Sequence, residues 1–155
     1  MPEPGRVVGK RILIVDDEPG TRDALKLLLA LDAHQVKEAA NGKEACYLFV
    51  PGDFDLVITD YSMPEMRGDE LARTLKCLVP SLPILMITAY AAQVWSRDNP
   101  VDAILPKPFT LGELRRTISD LLAPDGPRIR GAMPALQSGP QVRTPDAGRL
   151  ELGSG

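Results

Sequence analysis

The sequence has no apolar run near the roughly 18 residues that a membrane-spanning helix requires. Its two cysteines, Cys46 and Cys77, fall in separate amphipathic stretches. They form neither a CxxC pair nor a disulfide framework, and they read as two small buried or half-buried thiols. The net charge of −3 lacks the basic footprint of a nucleic-acid binder, so no direct nucleic-acid contact is expected. Met1-Pro2-Glu3-Pro4-Gly5 places an acid and two prolines where a signal peptide needs a basic end and an apolar core. The expectation is a cytoplasmic protein without a membrane partner. No internal repeat is visible. Gly5 to Lys10 only imitates a phosphate-binding loop: the glycine spacing is too short, and Arg11 stands where Ser or Thr would bind Mg2+.

With 44% apolar and 25% charged residues, the composition is that of an ordinary globular domain. Four short apolar runs organise it. Ile12-Leu13-Ile14-Val15 leads into Asp16-Asp17, and Leu56-Val57-Ile58-Thr59 into Asp60. Ile84-Leu85-Met86-Ile87 leads into Thr88, and Ala103-Ile104-Leu105-Pro106 into Lys107. Runs apolar at every position suit strands buried on both faces, as in a parallel sheet. Ligands of such sheets bind beyond the carboxyl ends of the strands, so these polar residues converge on one pocket.

Between the runs, 3.6-residue periodicity and turn residues mark helices. The first spans about 18–31, with Pro19 in its first turn, Ala24, Leu28 and Leu31 on its apolar face, and Leu25 and Leu29 widening that face. A weaker, more polar strand at 35–39 reads as a sheet edge. Further helices are expected after Asn41-Gly42, over 68–78, briefly over 91–97, and from Leu111 through Leu114, Ile118 and Leu121 to Leu122. The pattern is five βα units, an α/β fold with a doubly wound five-stranded parallel sheet and helices on both faces. Residues 10–123 form the expected domain, after a flexible leader at 1–9. Residues 124–155 hold 5 Pro and 6 Gly with no aromatic residue, too little apolar area to offset ordering, so a disordered tail is expected.

Three carboxylates at close range repel, and a hard divalent cation resolves that repulsion; Mg2+ takes carboxylates, waters and a phosphate oxygen. A carboxylate can also act as a nucleophile and form an aspartyl phosphate. Asp60 ends the expected central strand. Lys107 offers a point charge for a phosphoryl group, and the Thr88 hydroxyl a hydrogen bond. Taken singly, Asp16 or Asp17 is a good helix cap, Thr88 an ordinary strand residue and Lys107 a solvated charge. Only their joint placement at neighbouring strand ends points to phosphoryl chemistry.

The stretches ILIVDDEP (12–19), DLVITDYSMPEMRGDEL (55–71), ILMITAY (84–90) and LPKPFTLGEL (105–114) resemble the receiver domain of two-component response regulators. The resemblance implies the sheet order 2-1-3-4-5. It implies Asp60 as phosphoacceptor for a histidine kinase or phosphotransfer protein, with Mg2+ as cofactor. Asp17 and Asp60 would bind the metal directly, Asp16 mainly through water, and Ser62 through its backbone carbonyl. Lys107 and Thr88 would contact the phosphoryl group. Ser62 and Tyr90 would tune its hydrolysis, and the bond before Pro108 would be cis. The protein would be no enzyme beyond its own phosphorylation and dephosphorylation, and an unnamed downstream protein would read the signal.

Two positions depart from the family. Ile104 stands where the switch aromatic is usual. The interval from Thr88 to Lys107 is shorter by about three residues, close to one helical turn, which shortens the fourth helix. Two alternatives stay open. One is a fragment of a longer regulator with an output domain. The other is a Mg2+-dependent phosphatase with a nucleophilic Asp; its usual second Asp is replaced here by Ser62. His34, the sole histidine, reads as a surface-loop residue and Trp95 as either core or partner anchor, while Glu65 and Arg67 read as solvated loop charges.

Overall fold

The computed structural model describes residues 6–94 and 98–123. Trp95 and everything from Pro124 onward, including the expected disordered tail, lie outside the described residues. The order is β1 (Arg11–Val15), α1 (Pro19–Ala30), β2 (Gln35–Ala39), α2 (Gly42–Leu48), β3 (Leu56–Asp60), α3 (Gly68–Leu78), β4 (Ile84–Thr88), α4 (Ala91–Val94), β5 (Ala103–Pro106) and α5 (Leu111–Leu122). All strand pairs are parallel, in the order β2-β1-β3-β4-β5. The central strands β3 and β4 are buried at every position, which accounts for their unbroken apolar run. The edge strand β2 alternates between exposed and half-buried positions up to its last residue, Ala39, which is buried.

Alternation along the strands splits the core in two. Leu13, Val15, Val57, Met86 and Ile104 face α2 and α3, meeting Ala45, Leu71 and Leu75. Ile12, Ile14, Ile58, Leu85 and Leu105 face α1 and α5, meeting Leu25, Leu29, Leu114 and Ile118. A capping box starts α5: the Thr110 hydroxyl accepts from the Glu113 amide while Glu113 accepts from the Thr110 amide. Between Thr88 and Lys107 the described helix α4 is a single turn, Ala91–Val94.

Three expectations are corrected. The core face of α1 is centred on Leu25 and Leu29; Ala24 is exposed, and Leu31, which caps the helix, is 60% exposed. Helical side chains lean toward the N-terminus, and the i, i+4 pair Leu25/Leu29 is the one aimed at the sheet. His34 is buried, not a surface-loop residue. Ala33 takes a left-handed turn (φ 61°) that folds the chain under the sheet, where His34 Nδ1 accepts the Lys10 amide at 3.0 Å. Of the two thiols, Cys46 is half-buried but Cys77 is exposed, on the outer side of α3.

The turn before β2 is also where the chain ahead of β1 is tied down. Asp32, buried, accepts from Arg6 Nε at 3.0 Å and from Arg115 Nε and Nη2 at 2.9 Å each. Its backbone carbonyl takes the Gly9 amide at 3.0 Å.

Candidate functional site

The carboxyl ends of β1, β3, β4 and β5 deliver Asp16, Asp60, Thr88 and, just past β5, Lys107 to one crevice. Lys107 Nζ lies 3.5 Å from both Asp16 Oδ2 and Asp60 Oδ1. Asp16 and Asp60 are buried and Asp17 is exposed, and carboxylate oxygens of all three lie within 4.8 Å of one another. Opposite oxygens around Mg2+ are about 4.2 Å apart for metal–oxygen distances of 2.1 Å, so the cluster fits the ion after a small contraction. Burial pushes the Asp60 carboxyl above the usual carboxylate range; the Asp16 charge pushes the same way and Lys107 opposes both. An acidic cluster crowded in this way is able to hold a divalent cation.

Asp16, Thr88 and Lys107 are held through hydrogen bonds with backbone groups. The Asp16 amide donates to the Ala39 carbonyl at 3.1 Å, and Asp16 Oδ1 accepts the Glu18 amide at 2.9 Å. Thr88, fully buried, accepts the Tyr90 amide on Oγ1 at 2.9 Å, and its own carbonyl takes the Lys107 amide at 2.9 Å. That last bond fixes the root of the lysine against β4. The Lys107–Pro108 peptide is cis.

The loop after Asp60 is shaped by steric limits. The Gly68 amide donates to the Tyr61 carbonyl at 2.9 Å. A Cβ on Gly68 would stand 2.2 Å from the Asp60 carbonyl oxygen, so the loop closes only around a glycine. Met66 lies over Gly42, whose added Cβ would meet the thioether at 2.7 Å. Met63 is buried beneath the loop while Ser62 is exposed at its rim. Arg67, one of the expected solvated charges, is exposed and stacks over the Tyr61 ring at 5.5 Å.

Of the residues singled out from sequence, Asp16, Asp17, Asp60 and Lys107 are brought together, and Thr88 is hydrogen-bonded to the backbone at both Tyr90 and Lys107. Tyr90 is half exposed, two residues beyond Thr88 and tied to it through its amide. Ile104 is not at the site surface: it is buried core, paired with Met86 across the sheet. Two contributors are not apparent from sequence. Gly68 reads there only as a helix start. Arg22, whose Nη1 donates to the Asp16 carbonyl at 2.6 Å, lies in the first turns of α1 six residues after Asp16, a spacing that carries no signal by itself.

The family model for the response regulator receiver domain matches residues 12–119. The chain belongs to that family. The receiver is 36% identical over 129 residues to the response regulator MprA of Mycobacterium sp. (strain KMS), covering 81% of this chain and 56% of MprA. It is 35% identical over 116 residues to the sensor kinase CckA of Brucella abortus (strain 2308), covering 72% of this chain and 12% of the kinase. The chain thus spans about half or less of the length of these relatives. Among solved structures it is similar to the response regulator TrrA of Thermotoga maritima in complex with Mg2+-BeF, with a TM-score of 0.67, 36% identity, and coverage of 73% of this chain and 99% of that one. As a receiver, the chain is a signalling module of two-component systems. Among the described residues no helix is long and apolar enough to cross a membrane.

Proposed function

We propose that the protein takes a phosphoryl group onto Asp60 from the phosphohistidine of a histidine kinase or phosphotransfer protein. The observation that carries this reading is the convergence of Asp16, Asp17 and Asp60 with Lys107 at the strand ends. An Asp60 carboxylate oxygen attacks phosphorus, forming a P–O bond as the donor's P–N bond breaks. The bonding pair returns to the imidazole nitrogen, which takes up a proton. Asp17, Asp60 and the Ser62 carbonyl would hold Mg2+, with Asp16 acting mainly through water. Bound there, the ion would neutralise charge on the phosphoryl oxygens. Lys107 is close enough to release its carboxylate contacts and pair with the incoming group, and the Thr88 hydroxyl has a proton to donate to it. Ser62 and Tyr90, both exposed, would control the approach of water to the phosphoryl group. A self-contained phosphatase is not favoured, since the family model that matches is the receiver domain and the relatives are a response regulator and a sensor kinase. A domain ending near residue 123, followed by a tail, remains part of this reading.

The test is labelling by a small acyl phosphate with Mg2+, followed by mass mapping. One phosphoryl group on Asp60, no labelling after chelation and none in Asp60→Asn are expected. Full labelling of Asp60→Asn overturns the assignment.

A further inference from the structure

The bond from Arg22 to Asp16 lands on the one peptide unit that joins the two paired aspartates. The acceptor is the Asp16 carbonyl, 2.6 Å from Arg22 Nη1, and the same peptide's nitrogen belongs to Asp17. Asp16 is otherwise fixed: its amide is held by Ala39 and its Oδ1 by the Glu18 amide. Asp17, exposed at the end of that peptide, is the ligand whose placement depends on how the peptide plane is turned. The arginine is itself aimed. Its Nε donates to Glu38 Oε1 at 2.8 Å, and the second oxygen of Glu38 is held by Lys26 Nζ at 2.6 Å. Arg22 and Lys26 are one turn apart on α1, Glu38 is on β2, and the Arg22 side chain is only 16% exposed.

A cation in this position is at first sight the wrong charge beside a cation site. By Coulomb's law alone it should weaken divalent binding. Its forked geometry has a different use: one edge of the guanidinium is anchored on Glu38 while the other reaches the carbonyl, which a point-charge ammonium cannot do at once.

We infer that Arg22 is a positioning residue for the metal site, setting the Asp16–Asp17 peptide plane and through it the reach of the Asp17 carboxylate. The inference rests on the Mg2+ reading above and predicts a sign opposite to that of simple charge. The experiment is calorimetric titration of the full chain with Mg2+, for the unaltered protein, Arg22→Lys and Arg22→Gln. Arg22→Lys keeps the charge and loses the fork, so a fall in Mg2+ affinity on the order of tenfold is expected, the scale seen when supports of metal ligands are removed. Arg22→Gln should also bind Mg2+ more weakly, although it removes a repulsive charge. In acyl-phosphate labelling, the Mg2+ concentration for half-maximal rate should rise while the rate at saturating Mg2+ stays close to that of the unaltered protein. A general loss of stability would not produce that split.

Unchanged affinity in Arg22→Lys, or tighter binding in Arg22→Gln, overturns the inference. Should Arg22→Gln fail to fold, the charge-conserving variant still decides. Absence of Mg2+ binding to the unaltered protein would instead sink the metal reading itself, so the two failures are distinguishable.

Discussion

His34 is held in its neutral form. Burial lowers its pKa, and the Lys10 backbone amide points at Nδ1, an atom that cannot accept once protonated; the Asp32 charge pulls the other way without prevailing. The Lys10 charge adds to the effect of burial, and the Asp32 carboxylate that would favour the imidazolium is itself paired with Arg6 and Arg115. Because the folded-state pKa lies below the unfolded one, the unfolded chain binds the proton first. Stability is therefore complete above about pH 6.5 and is lost as pH falls from there toward the depressed folded value. Urea unfolding at pH 7.5 and pH 5.5 should show a lower midpoint at the acid pH, and His34→Gln should flatten the difference. An equal slope in that variant would assign the effect to another group. This residue also marks the limit of sequence reading. The acidic positions are legible because each ends an apolar run. His34 is not, because its burial comes from contact with a segment 24 positions earlier in the chain.

Strand and helix limits are largely legible in the sequence, since apolar runs and turn residues are local signals. The core face of α1 is not, because several of its leucines fit an apolar stripe and only packing on the sheet selects Leu25 and Leu29. The fourth βα unit bears the consequence of Ile104. That side chain is 1% exposed, packed in the core on the face of α2 and α3, and β-branched with no polar tip to trade between solvent and interior. Thr88 is instead coupled to the next element through backbone: its hydroxyl accepts the Tyr90 amide, one residue before α4. The far end of the unit is pinned, with Asp102 accepting from Ile84 and pairing with Lys76 at 2.7 Å. If Thr88 turns its hydroxyl toward a phosphoryl group, the Tyr90 amide is the first bond to be strained, and α4 is the element it would release. Amide exchange with Mg2+ and a beryllofluoride mimic should speed up at Tyr90 and in 91–94, with Asp102 unchanged. No change between 89 and 107 would favour a protein that only stores or drains phosphate.

At the scale of the molecule, the two ends of the sheet divide the labour. Chemistry gathers at the carboxyl ends, while at the opposite end Asp32 joins the chain before β1, the turn after α1 and helix α5 through Arg6 and Arg115. Burial alone would raise the Asp32 pKa, but Arg115 and then Arg6 more than reverse it. Its contribution is thus present above about pH 4 and is lost as pH falls through the lowered folded value. Asp32→Ala should destabilise the protein by about 3 kcal/mol, the low end for breaking a buried pair because both arginines keep some solvent contact. A change under about 1 kcal/mol in chemical denaturation would show that the three segments hold without it. None of this is visible in the sequence, where Asp32 looks like one more turn residue and its partners are scattered from position 6 to position 115.

Gly68 and Gly20 are the same letter with opposite histories available to them. Around Gly20 nothing lies within 4 Å of the missing Cβ, so a lineage can wander through many residues there. At Gly68 the first carbon of any side chain would enter the carbonyl of the phosphoacceptor candidate, at 2.2 Å. No substitution at that codon is a small step, because the step from no side chain to the smallest one is already too large. The position is an island in sequence space, and an unaltered glycine there is the trace that selection for the loop leaves in any descendant still able to close it.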